Sequence, residues 1–219
     1  MVRSYTDLYS MSFDDMVTVK VGPKKKVFTA PRNVLCRSPF FKAALSGNWA
    51  EGKKALTLPE DRCDTFAIYL QWAVSGQVVI SDEESTLDNQ WTHFTGLVEL
   101  YILADKLGEI ALQNKVIDEF RAMVKSLNII PHHGIVDRLF AATPENCMLQ
   151  KLILDRYTYT FKPEGFAADV VRELPEVFTK VLTAMGSQRL NGGLQQGLPK
   201  DREARCYYHV HNEDTPACE

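Results

Sequence analysis

From Leu97 to Leu107 the chain is apolar nearly all the way round a helix. Leu97, Val98, Leu100, Tyr101, Ile102, Leu103 and Ala104 leave only Glu99, Asp105 and Lys106 to reach water. A helix without a polar face is buried among its neighbours. Gly108 breaks the pattern, as a residue just past a helix end does. Leu112, Val116, Phe120, Met123 and Leu127 then recur at helical spacing, with Lys115, Asp118, Glu119, Arg121 and Lys125 largely between them. Residues 94 to 127 therefore read as a two-helix hairpin, one member buried and one half-exposed.

The stretch before the hairpin offers elements to cover it. Residues 16 to 21 alternate, with Val17, Val19 and Val21 on one face, as a strand does. Gly22-Pro23 and three lysines make a turn, and Val27 to Ala30 resumes as a second strand. A short helical segment spans Pro31 to Arg37. Ser38 caps the next helix, with Pro39 at its first position, Phe40, Phe41, Ala44 and Leu45 on its apolar face, and Gly47 as its stop. Ala55 to Leu58 reads as a short strand. Asp64 to Ser75 reads as a helix with Phe66, Tyr69, Leu70 and Ala73 on one face and Gly76 at its end. Val78 to Ile80 has the character of an edge strand, and Ser81 to Gln90 that of a solvated acidic loop.

After Leu127 the pattern is helical and weaker. Pro131 to Ala141 is one helix. Thr143-Pro144 opens another with Met148, Leu152, Ile153 and Tyr157, and Leu174-Pro175 precedes a last one through Val177, Phe178 and Leu182. Asn191 to Lys200, NGGLQQGLPK, has the composition of a flexible linker. The expected organisation is a leader over 1–13, a mixed α+β domain over 14–127, a helical extension over 128–187, and a linker with a Cys/His tail over 188–219.

Composition narrows the function. The 219 residues are 45% hydrophobic and 24% charged, the balance of a globular protein, and net charge is -3. That charge argues against a phosphate-binding surface spread over the chain, and the lysines at 24–26 carry no interleaved aromatic residue, so no nucleic-acid partner is expected. No apolar run reaches the roughly 18 residues of a membrane span, and the first residues lack a secretory h-region. The five cysteines are accordingly expected as reduced thiols in the cytosol or nucleus.

The chain carries no Gly-rich phosphate loop, nucleophile elbow or helical H-E-x-x-H, so no catalytic residue is assigned. His132-His133 reads as a surface pair, Cys36 and Cys63 as small buried hydrophobes, and His93 as packing at a helix start. The tail is richer. Cys206-x2-His209-x-His211-x6-Cys218 places two thiols and two imidazoles close together in sequence, a donor set suited to zinc. Against this stand the non-standard spacing and the linker, which favour a disordered tail with free thiols. His209 and His211 share a face only in an extended chain.

The order of elements, together with Phe28-Thr29-Ala30-Pro31-Arg32-Asn33-Val34-Leu35 through Ser38-Pro39-Phe40-Phe41, resembles the BTB/POZ domain and its F-x-A-H-(K/R)-x-x-L…S-x-F-F signature. Gly47 to Gly52 and the hairpin segment LYILADKL…LQN-x-VID are similar to fungal members. The resemblance covers residues 14 to 127. Pro31 stands where the family has histidine, and Val74-Ser75-Gly76 where it often has Y-T-G.

The resemblance implies a BTB/POZ fold, helical hairpins capped by a small sheet, followed by a helical extension. It implies a protein-interaction module that forms homodimers. It also implies a charged pocket of Asp15 and Arg32, and a dimer face of Met16, Val17, Val34, Leu35, Phe41 and Leu45. Some relatives are substrate adaptors of cullin-type ubiquitin ligases, some recruit transcriptional corepressors, and some assemble membrane channels. The expected role is a stand-alone interaction and oligomerisation protein. A ligase adaptor partnered by a cullin is the alternative, weakened because residues 66–75, FAIYLQWAVS, lack the acidic residue of cullin-binding relatives. A corepressor-recruiting role and a small enzyme built on the tail Cys and His residues are the remaining readings.

Overall fold

Strand β1, Met16–Val21, is the centre of a three-stranded sheet of order β2-β1-β3. It runs antiparallel to β2, Lys26–Pro31, pairing Met16 with Pro31 and Val21 with Lys26. It runs parallel to β3, Leu56–Leu58, pairing Val19 with Leu56. The alternation in β1 does what it predicts: Val17, Val19 and Val21 are buried, and Thr18 and Lys20 are not. This is a computed structural model, and it describes residues 15–46, 56–80, 87–127, 131, 133–160, 172–190, 197–213 and 215–218. The leader at 1–13, the helix stop at Gly47, the 47–52 segment, the acidic loop at 81–86, His132 and the linker at 191–196 lie outside the described residues.

Among the described residues the helices are α1 (Arg32–Leu35), α2 (Pro39–Ser46), α3 (Cys63–Ser75), α4 (Leu87–Leu107), α5 (Ile110–Leu127), α6 (His133–Ala142), α7 (Met148–Thr160), α8 (Pro175–Leu190) and α9 (Lys200–Glu203). A 3-10 turn, Arg205–Tyr208, follows. The architecture is mixed α+β, a small sheet with many helices. No helix among the described residues is long and apolar enough to cross a membrane.

The chain divides into two compact units, one ending at Val116 and one beginning at Ile117. The division falls inside α5, upstream of the boundary expected at Leu127. Periodicity could not place it, because the helix continues through the change of unit.

In the first unit, α4 buries Leu97, Val98, Leu100, Tyr101, Leu103, Ala104 and Leu107, as its all-round apolar surface requires. Gly108 turns the chain into α5 with φ of 70°, and a side chain there would also press on Pro39, 3.2 Å away. Ser38 ties the same place together: its hydroxyl donates to the Leu107 carbonyl at 2.7 Å and accepts from the Phe41 N–H at 3.4 Å. Phe41 stacks on Tyr69 at 6.2 Å, and Phe28 meets Phe66 edge-on at 5.1 Å.

Several expectations need correction. Val78 to Ile80 is not a strand; Ile80 is buried against Gly96 of α4, so its apolar signal reflects helix packing. Helix α4 begins at Leu87, inside the stretch read as a loop. On α3 the inward residues include Trp72, while Leu70 is half-buried. On α8 Val181 is fully buried at 0% and Leu182 is 63% exposed, so the inward face follows Val177, Phe178 and Val181.

The second unit packs α7 through Leu149, Leu152, Ile153 and Tyr157, and α8 beside it, with Tyr157 edge-on to Phe178 at 5.8 Å. Ile117, Phe120 and Val124 bury the α5 face in this unit. The flexible linker and disordered tail expected over 188–219 are also corrected for the described residues from 197 on. Gly197 donates its N–H to the Tyr159 carbonyl at 2.8 Å, and Tyr208 is fully buried.

Candidate metal centre

Three local features build the centre. The 3-10 turn has three residues per turn, so side chains three apart stand over one another. The His209 N–H donates to the Cys206 carbonyl at 3.1 Å, which brings His209 above Cys206. His209 itself is extended, with φ of -88° and ψ of 149°. His211, two residues on, therefore returns to the same side, with the two rings 6.0 Å apart. Asn212 and Thr215 then close a tight reversal through paired backbone bonds of 3.0 and 3.2 Å. That reversal carries Cys218 back, and its N–H donates to Cys206 Sγ at 3.0 Å.

One ligand atom from each of Cys206, His209, His211 and Cys218 lies within 4.8 Å of all the others. The structure thus brings together all four residues singled out from the tail. Bonds of about 2.3 Å to sulfur and about 2.0 Å to nitrogen would make a tetrahedron with edges of roughly 3.3–3.8 Å. The cluster is close to that size, and a modest contraction closes it. The donor set fits a metal in another respect. Both ring nitrogens of His211 are buried, and neither has a hydrogen-bond partner. Buried polar atoms are ordinarily partnered, so such a ring needs an explanation, and a bound ion would account for one of the two nitrogens.

The residues around the cluster hold it in place. His209 Nδ1 is 3.0 Å from Cys218 Sγ, while its Nε2 is 3.1 Å from Asp118 Oδ1. Asp118, on α5, also accepts from Arg205 at 3.1 and 3.2 Å. Burial works against the Asp118 charge, but hydrogen bonding and electrostatic attraction from His209 and Arg205 outweigh it and hold the carboxyl below its ordinary range. Cys206 beside it, by hydrogen bond first, pushes the Cys218 thiol up. Two thiols so close compete to ionise, and a cation would relieve both.

The segment leading into the cluster is docked as well. Arg121 donates to the carbonyls of Glu203, Arg205 and Ala204 at 2.7, 3.2 and 3.4 Å. Arg202 pairs with Asp155, and the Tyr208 hydroxyl donates to the other oxygen of Asp155. Asp118, Arg121 and Asp155 carried no signal in the sequence. They occupy polar positions of helices, and nothing local connects them to residues 47 to 91 positions later.

The sites expected in the first unit fare differently. Asp15 and Arg32 do form an ion pair, and the Arg32 N–H also donates to the Asp15 carbonyl at 2.9 Å. Their side chains are 62% and 41% exposed, so they make a surface pair and not an enclosed pocket. The expected dimer face is corrected. Val34, Leu35 and Phe41 are each 0% exposed and Val17 is buried, so all four belong to the core. Of that set only Met16, at 44%, and half-buried Leu45 reach the surface; Phe40, next to Phe41, is exposed. An apolar helical face reads the same whether it turns inward or outward.

Cys63 is half-buried and donates its S–H to the Val21 carbonyl at 3.3 Å. His133 faces Glu173. No family model matches this chain, and no curated protein matches it.

Proposed function

We propose that this chain is a non-catalytic protein-interaction module of the BTB/POZ kind, whose second unit is closed by a structural zinc ion. The interaction reading is carried by one observation. Two strands, two short helices, a third strand, a helix ended by glycine and a helical hairpin follow one another around a β2-β1-β3 sheet. That is the order expected from the resemblance, and its signature residues Ala30, Leu35 and Phe41 are core. Self-association then uses Met16, Phe40 and Leu45. Sedimentation equilibrium of the full chain at tens of micromolar should give a dimer, and a monomer overturns self-association. Affinity purification from the native cell separates the roles: a cullin marks a ligase adaptor, a corepressor a transcriptional role, and the chain alone a stand-alone oligomer.

The zinc reading is supported by the four converging donors and by His211. Two Cys and two His make a full tetrahedral set, which leaves no open position for a substrate and suits a structural ion. Protein purified without chelator should carry about one equivalent of zinc, lost in Cys206→Ser with Cys218→Ser. Under a tenth of an equivalent overturns this half of the proposal.

A further inference from the structure

We infer that Asp118 is the positioning residue of the zinc centre, holding His209 as the Nε2–H tautomer so that it meets the ion through Nδ1. This rests on the zinc reading above and adds the direction of one ligand and the group that sets it.

An ionised carboxylate only accepts hydrogen bonds, so the ring nitrogen facing it must be the one that carries hydrogen. In His209 that is Nε2, 3.1 Å from Asp118 Oδ1. The neutral ring then has its lone pair on Nδ1, and Nδ1 is the atom that faces Cys218 Sγ at 3.0 Å. The His209 side chain is only 3% exposed, so the other tautomer would leave the Nε2 lone pair against the Asp118 carboxylate inside the fold and no lone pair on Nδ1 for an ion. Asp118 is itself steadied, being part of α5 and bonded to Arg205. A carboxylate behind a metal-bound imidazole fixes the ring and makes it a better donor.

Long-range proton–nitrogen correlation spectra of the 15N-labelled full chain, loaded with Zn2+ alone, read this directly. The expected pattern for His209 is a zinc-bound Nδ1 and a protonated Nε2. Asp118→Ala should lower zinc affinity by about 10–100-fold in a chelator competition and lose that pattern. Asp118→Asn keeps an acceptor oxygen and should keep Nδ1 bound, with a smaller loss. Zinc bound through Nε2 of His209, or Asp118→Ala binding zinc as tightly as the wild type, overturns the inference while leaving the zinc reading intact. A wild-type chain that takes up no zinc overturns both. If Asp118→Ala does not fold, the wild-type ring pattern and Asp118→Asn decide.

Discussion

The Tyr208 hydroxyl donates to Asp155 Oδ2 at 2.8 Å, between two residues that are both buried and belong to segments far apart in the chain. The phenol fastens the 3-10 turn to α7, and Arg202 binds the other oxygen of the same carboxylate. Tyr208→Phe keeps the ring and removes only the donor. A hydrogen bond to a buried charge is worth about 1.5–3 kcal/mol, so urea unfolding of the full chain should show a loss of that order. An unchanged midpoint would mean that the turn is held by packing alone.

Burial pushes the Asp155 carboxyl above its ordinary range, in spite of the Tyr208 hydrogen bond and the Arg202 charge. The folded state therefore keeps this proton longer than the unfolded state, whose aspartate titrates near about 3.9. Stability falls as pH rises through the window above that value, because the folded state binds more protons there. Asp155→Asn lacks this titration. The stability of Asp155→Asn relative to wild type should thus improve as pH rises from about 4 and level off beyond the folded value. A pH-independent difference between the two proteins would refute the assignment.

Leu100 and Leu103 are both buried in α4. Truncating a leucine in a packed core costs about 2–5 kcal/mol, so Leu100→Ala and Leu103→Ala should each unfold at clearly lower urea. Wild-type melting in both variants would contradict the burial of this helix.

The Asp15–Arg32 pair is solvent-exposed on both sides. A double-mutant cycle with Asp15→Ala and Arg32→Ala should return a coupling of at most about 1 kcal/mol, shrinking with added salt. A coupling of about 3–5 kcal/mol would instead mark an enclosed pair, with water excluded from it by something that covers this face.

Much of the local architecture was legible in the residues. The β1 alternation, the apolar circumference of α4, the break at Gly108 and the end of α3 at Gly76, where φ is 74°, are consequences of backbone period and steric allowance. They need no knowledge of the rest of the chain. The convergence of His209 and His211 was legible only as a condition, that the chain be extended there. The backbone at His209 meets it.

What the tertiary structure alone decided is which apolar surface faces which neighbour, and which polar residue meets which. Val34, Leu35 and Phe41 have the same periodicity in a core as on a dimer face, and only the sheet and α3 around them settle that they turn inward. Ile80 needed α4 beside it to become a packing residue. Asp118 looks like any polar position of an amphipathic helix until the path of the second unit brings His209 to it. Local pattern follows from torsions within a few residues. The partner of a side chain depends on the course of the whole intervening chain, and no spacing in the sequence encodes that course.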